Sequence, residues 1–236
     1  MKILGIDGSG LVASVAIVED DNLIGEYTTG YKKTHSQTLL PMLDELSKMV
    51  ELDMNSVDAI AVAAGPGSFT GLRIASATAK GLGLSLGCPI VSVPTVDALA
   101  YNMWGNEGII CPILDARRGQ VYTGLYKFEQ SGDFTVVLQQ CAVDFTEIAE
   151  KINEAGQPVT FLGDGVPVFK DKISELINVP YRFAPAHLNR QHASSVAALG
   201  SIYYANGDCE IAADHRPEYL RLSQAERERM EKEGKA

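Results

Sequence analysis

The stretch Gly65-Pro66-Gly67-Ser68-Phe69-Thr70-Gly71-Leu72-Arg73, continued as far as Gly87, decides the fold of this chain. Short uncharged runs, typical of buried strands, flank it at 59–64 and 90–93. The first glycines turn the chain, Ser68 or Thr70 can cap free N–H groups at the start of a helix, and Gly87 can end that helix. The sequence therefore predicts a strand–helix–strand unit with this stretch as its loop and helix.

The predicted helix carries small residues at every fourth position, namely Gly71, Ala75, Ala79, Gly83 and Gly87. Each glycine inside a helix costs up to about 1 kcal/mol relative to alanine, so another interaction must compensate. A row of small side chains allows a second backbone to approach closely. Either the helix packs tightly on its own sheet, or a helix of another chain docks on the row. The docking hypothesis predicts a partner interface of Gly71, Arg73, Ala75, Ala79, Leu82, Gly83 and Leu86.

The composition excludes several classes of protein. The 236 residues are 46% hydrophobic, which is enough for two small lobes or one large domain. No apolar run is long enough to span a membrane, and the N-terminal segment lacks the apolar core of a signal peptide, so we expect a cytoplasmic protein. A net charge of −10 disfavours independent binding of nucleic acid unless a local basic patch exists. The four cysteines have no C-x-x-C spacing and are expected to be free thiols.

The pattern of apolar residues divides the chain into two similar halves. Each half is predicted as three strands, a helix, a strand and a helix, which indicates an α/β fold with an internal duplication of topology. We predict an N-terminal lobe over 1–104 that carries the docking helices and a C-terminal lobe over 105–224. A charged, solvated tail is predicted over 225–236.

Two turns that begin with an acid occupy equivalent places in the halves, Asp7-Gly8-Ser9 and Asp115-Ala116-Arg117. Duplicated lobes with such turns resemble the superfamily of actin, sugar kinases and heat-shock chaperones, in which the turns hold the phosphates of ATP. Backbone N–H groups of a tight turn suit that task. In this sequence Arg117 and Arg118 stand where that superfamily prefers small residues, and Asp-Gly turns also occur in ordinary hairpins. We therefore expect Asp7, Gly8 and Ser9 to be structural or vestigial.

Motifs along almost the whole chain carry a narrower resemblance. They are 3–7, Thr34-His35-Ser36 with Leu39-Leu40-Pro41, 65–73, 115–122, Tyr219-Leu220-Arg221 and Gln224-Ala225-Glu226-Arg227. Together they resemble the TsaB (YeaZ) family of bacteria. The resemblance implies a subunit of the machinery that adds threonylcarbamoyl to the adenosine next to the anticodon of ANN-decoding tRNAs. It implies a catalytic paralogue, TsaD, and an ATPase, TsaE, as partners, a homodimer when the chain is alone, contact with tRNA only through the complex, and no membrane.

The resemblance also implies that this chain is not the catalyst. TsaD carries a metal-binding H-x-x-x-H after the strand that follows its own Gly-Pro-Gly helix, and the corresponding positions here are Thr95 and Leu99. Leucine cannot bind a metal, and one threonine is a poor ligand. A non-catalytic subunit without a metal or other cofactor is therefore implied. The alternative is an enzyme in its own right, either a kinase-like phosphotransferase or a glycoprotease-like peptidase. Measuring ATP binding and metal content of the isolated chain separates the two.

Overall fold

The computed structural model of the protein describes residues 1–31 and 34–221. The predicted tail over 225–236 and the motif that begins at Gln224 lie outside the described residues. Within the described ranges, no helix combines the length and the apolar character that crossing a membrane requires.

The first half of the chain builds a five-stranded mixed sheet. Its strands are β1 (Lys2–Asp7), β2 (Ala13–Glu19), β3 (Asn22–Thr29), β4 (Ala59–Gly65) and β5 (Ile90–Pro94), in the order β3-β2-β1-β4-β5. The first three strands form an antiparallel meander, and β4 and β5 extend the sheet in parallel. The helices of this half are α1 (His35–Met49), α2 (Phe69–Leu86) and α3 (Thr95–Tyr101).

The second half repeats this arrangement. Its elements are β6 (Ile109–Asp115), β7 (Gln120–Phe128), β8 (Phe134–Asp144), α4 (Phe145–Ala155), β9 (Val159–Leu162), α5 (Val166–Leu176), β10 (Tyr181–Phe183) and α6 (Ala193–Ala205). The strand order is β10-β9-β6-β7-β8. Read from the other edge, it repeats the order of the first sheet, with β6 to β10 in the places of β1 to β5. The predicted two-lobed, duplicated α/β fold is confirmed. Each repeat also ends in a further strand and helix, which are β5 with α3 in the first half and β10 with α6 in the second.

The two halves exchange their last helices. Helix α3 packs on the second sheet, where Val96 and Leu99 share a core with Ile110 and Leu114. Helix α6 returns to the first sheet, and its Gly200 lies so close that an added Cβ would be 2.5 Å from the Cβ of Ala61. The predicted boundary at 104/105 therefore separates the sheets, whereas α3 and α6 cross it.

Candidate functional site

Helix α2 begins and ends where its sequence indicates. Ser68 is the N-cap, and its hydroxyl accepts a hydrogen bond from the Gly71 N–H at 3.3 Å. Gly87 ends the helix with φ of +69°, a left-handed conformation that glycine adopts without strain. These capping residues fix where α2 begins and ends.

The small-residue row of α2 faces the interior of its own chain. Ala75 and Ala79 are fully buried in the core beneath α1 and α2, and a Cβ added at Gly83 would lie 2.8 Å from that of Ala212. The prediction that Gly71, Ala75, Ala79 and Gly83 contact another chain is therefore wrong, because the chain's own core already fills the row. Of the other residues predicted for that interface, Leu82 and Leu86 are half-buried against the same core, and Arg73 is exposed.

The glycines of the signature stretch bring three segments together. A side chain at Gly65 would collide with the carbonyl oxygen of Glu218, one at Gly67 with that of Ser9, and one at Gly71 with that of Gly8. The Ser68 N–H also donates to the Ser9 carbonyl at 2.6 Å. The stretch is thus the place where the first turn, α2 and the C-terminal segment meet at backbone distance.

The solvent side of α2 is also made of small residues. Ala77 and Gly81 are exposed there, and a Cβ added at Gly81 would meet no atom within 4 Å. Leu84 on α2 is 62% exposed, and Leu40 on the neighbouring α1 is 53% exposed. We call Leu40, Ala77, Gly81 and Leu84 the outer helix face. It offers apolar area that the described part of the chain leaves uncovered.

A cleft of about 370 Å³ lies between the lobes. Both predicted turns border it, the first through Ser9 and the second through Asp115 and Arg117. The first turn is not open to a ligand along its whole length, because Gly8 packs closely against α2 and His35, where an added Cβ would lie 3.0–3.2 Å from their atoms.

The sequence patterns did not predict the segment that crosses this cleft, which we call the C-terminal strap (210–221). Glu210 pairs with Ile90 at the edge of the first sheet, and the Glu218 N–H donates to the Ala64 carbonyl at 2.7 Å. Arg221 donates to the Ala116 carbonyl in the second lobe, also at 2.7 Å. The strap has no apolar periodicity, and its only sequence signal is the family motif Tyr219-Leu220-Arg221.

Asp7 is a buried carboxylate at the start of the first turn. Its Oδ1 accepts hydrogen bonds from the Ser9 N–H at 2.8 Å and the Ser9 hydroxyl at 2.7 Å. Its Oδ2 is buried and has no partner among the described residues. Burial raises the pKa of Asp7 to about 6, although the bonds from Ser9 oppose the shift. Oδ1 therefore stabilises the turn, whereas Oδ2 has lost its contact with water and gains no hydrogen bond from the described residues in return.

Replacing Asp7 by Asn should change how stability depends on pH. The folded-state pKa of Asp7 lies above its ordinary value of 3.8, so its contribution to stability is complete below that value and is lost as the pH rises through about 6. Asn keeps an oxygen for Ser9 and carries no charge. Relative to wild type, the free energy of unfolding of Asp7→Asn should rise by about 2.5 kcal/mol between about pH 4 and about pH 8, as measured by urea titration. A difference that stays constant with pH would contradict an uncompensated carboxylate.

Thr95 and Leu99 are packing residues in this chain. Thr95 is fully buried, and its hydroxyl oxygen accepts a hydrogen bond from the Gly65 N–H at 3.2 Å. Leu99 is 1% exposed and belongs to the core between α3 and the second sheet. Across residues 1–31 and 34–221, no three His, Cys, Asp or Glu side chains are grouped so that they could hold a metal ion.

Comparison with known proteins confirms the resemblance found in the sequence. A family model described as TsaD, tRNA N6-adenosine threonylcarbamoyltransferase, matches residues 22–229. The tRNA threonylcarbamoyladenosine biosynthesis protein TsaB of Bacillus subtilis (strain 168) is 36% identical over 228 residues, which is 96% of each chain. The solved structure of YeaZ from Pseudomonas aeruginosa has a TM-score of 0.79 at 27% identity and covers 93% of this chain and 99% of its own. Since the match to TsaB extends over nearly the whole of both chains, this chain belongs to the TsaB (YeaZ) family.

Proposed function

We propose that this chain is a non-catalytic subunit in the biosynthesis of threonylcarbamoyladenosine on tRNA. It binds and positions a catalytic paralogue of the TsaD type and supports binding of a TsaE-type ATPase. The observation that carries the non-catalytic role is the state of Thr95 and Leu99, which stand at the paralogue's metal-ligand positions and are buried as packing residues. The name of the Bacillus subtilis relative supports the pathway.

The paralogue docks on the outer helix face. The docking surface proposed here is therefore the solvent side of α2 and not the buried row of small residues. Ala77 and Gly81 allow a helix backbone to approach. Leu40 and Leu84 supply exposed apolar area. In the absence of the paralogue, a second copy of the chain uses the same face, so the homodimer and the heterodimer exclude each other.

Gly81→Arg tests the docking face. The substitution should leave the chain folded, because no atom lies within 4 Å of the new Cβ and arginine is a better helix former than glycine. A long cation in the middle of the face would hold a partner helix away and remain unpaired in the interface. We expect loss of co-elution with the paralogue on size-exclusion chromatography and loss of tRNA modification in the reconstituted system.

Val168→Arg is the matched control. Val168 is 62% exposed on α5 of the other lobe, so the same side chain is added to a helix surface outside the proposed interface. This variant should form the heterodimer and modify tRNA as the wild type does. Normal heterodimer formation by Gly81→Arg would rule out the outer helix face. Modification of tRNA by the wild-type chain without the paralogue would rule out a non-catalytic role.

A further inference from the structure

Arginines are concentrated in one region of the molecule. Of the seven arginines that the structure describes, four line the cleft or the groove beside it, namely Arg73, Arg117, Arg216 and Arg221. Two more are their sequence neighbours: Arg118 follows Arg117 in the same turn, and Arg190 precedes Gln191, which lines the cleft. We call these six the cleft arginines. The seventh, Arg182, lies elsewhere and donates to Asn106 and Thr160. The whole chain has a net charge of −10, so this cluster of positive charges has the opposite sign to the chain as a whole.

Two cleft arginines lie at the tip of the β6–β7 turn. Arg117 and Arg118 have φ of +66° and +58°, a left-handed conformation that costs a residue with a side chain roughly 1 kcal/mol or more. The Arg117 side chain is 86% exposed and forms an ion pair with Asp115 at 3.0 Å. Arg118 is exposed and pairs with no carboxylate among the described residues. The turn therefore keeps two cations at the mouth of the cleft where glycine would fit without strain.

A second groove, of about 450 Å³, adjoins the cleft on the α2 side. Arg73, Lys80, Arg216 and Tyr219 line it, and Tyr219 also lines the cleft. The Arg73 guanidinium lies 3.9 Å above the ring of Phe69 and donates to the Tyr219 hydroxyl at 3.1 Å. Tyr219 is 40% exposed, so part of its ring is free for contact. Arg73 thus lies against two neighbouring rings, those of Phe69 and Tyr219, and Tyr219 joins this groove to the cleft that the β6–β7 turn borders.

Two buried donors near the cleft have no acceptor among the described residues. They are Nε2 of Gln191, which lines the cleft and is 2% exposed, and Nη1 of the adjacent Arg190. A buried donor without a partner is costly, and an acceptor oxygen of a ligand in the cleft would satisfy that of Gln191, which lines it.

Three carboxylates also line the cleft, and they do not cancel this positive charge. Asp115 is paired with Arg117, and Glu218 accepts a hydrogen bond from Gln140 at 3.1 Å. Burial raises the pKa of the third, Asp164. Four lining arginines therefore stand beside three carboxylates, one of which is already paired with Arg117.

We propose that the cleft arginines bind the phosphate backbone of RNA, with the exposed part of the Tyr219 ring against a base. Guanidinium groups form paired hydrogen bonds with phosphate oxygens, and alternating cations and aromatic rings are the pattern of surfaces that bind single-stranded nucleic acid. The proposal rests on the proposed function, because tRNA is the RNA that this chain meets in the complex. It adds that this subunit contacts the tRNA itself.

The test uses the full-length double variant Arg118→Glu/Arg216→Glu in complex with the paralogue. Both side chains are exposed and unpaired with carboxylates in the described residues, so the variant should fold and form the heterodimer. We expect its affinity for the substrate tRNA, measured by fluorescence anisotropy, to fall about tenfold or more at moderate salt. The slope of log affinity against log salt should fall by roughly 1.5 to 2, since two phosphate contacts are lost. The neutral pair Arg118→Gln/Arg216→Gln should show a smaller loss in the same direction.

Lys151→Glu/Lys170→Glu is the control with the same change of charge. Both lysines are exposed on helices of the second lobe, away from the cleft, and the variant should bind tRNA within about twofold of wild type. Equal losses in the two double variants, or wild-type affinity of the arginine variant, would overturn the proposal. Displacement of the tRNA by millimolar ATP would also overturn it in favour of a nucleotide site. Failure of the proposed function would appear separately, as absence of the wild-type heterodimer on size-exclusion chromatography without any RNA.

Discussion

Ala79→Arg is expected to unfold the chain. Ala79 is fully buried between α2 and the first sheet, where Ala75 and Ile60 belong to the same core. The new side chain has no cavity to occupy and no carboxylate to pair with in that core, so it adds overpacking to the burial of an unpaired charge. Together these costs reach the whole stability of a typical domain, about 5–15 kcal/mol. Circular dichroism should show loss of the cooperative melting transition, with aggregated protein on size-exclusion chromatography.

Gly81→Arg, two residues further along α2, is the internal comparison for this result. It introduces the same side chain into the same helix on the solvent side and should melt close to wild type. A folded Ala79→Arg with normal melting would mean that the small-residue row is accessible in solution. That outcome would restore the inward row as a candidate docking surface.

Gly71→Ala should be strongly destabilising, whereas Gly81→Ala should be stabilising. A methyl group at Gly71 overlaps the carbonyl oxygen of Gly8, a backbone atom that cannot move without displacing β1 or α2. We expect a loss of several kcal/mol, since overpacking against backbone costs at least about 1–3 kcal/mol. At Gly81 the methyl group meets nothing, so the helix gains up to about 1 kcal/mol from the better propensity of alanine.

Thermal unfolding of the two alanine variants under identical conditions measures this difference. The substitutions are the same and the positions are ten residues apart in one helix, so the contrast isolates what each Cβ touches. If both variants changed in stability in the same direction, the turn after β1 could move to accommodate the added methyl group. Gly65, Gly67 and Gly71 would then not form a rigid contact.

The strands and helices were predictable because each depends on residues that are close in sequence. Ser68 and Gly87 bound α2 through capping, and the short uncharged runs on either side are typical of buried strands. The spacing of small residues on α2 was also evident. The sequence did not show what covers these small residues. Helix α2 has small residues both on its buried side, at Ala79, and on its solvent side, at Gly81, and periodicity alone does not say which side meets the sheet.

The cleft could not be predicted in the same way. Its arginines come from α2, the β6–β7 turn, the segment before α6 and the strap, so positions as distant as Arg73 and Arg221 become neighbours only in the folded chain. The state of Asp7 is likewise a property of packing. The sequence indicates an Asp-Gly-Ser turn, but the desolvation of its second carboxylate oxygen depends on surroundings that the motif does not specify.

The exchange of α3 and α6 between the lobes also bears on how the protein is made. The first sheet is complete once Pro94 has been synthesised, yet one of its faces waits for Ala193–Ala205 to cover Ile3, Ala61 and Val91. An N-terminal lobe emerging from the ribosome therefore exposes an apolar sheet while about a hundred further residues are added. We therefore expect a nascent chain interrupted before α6 to expose this face to chaperones and proteases.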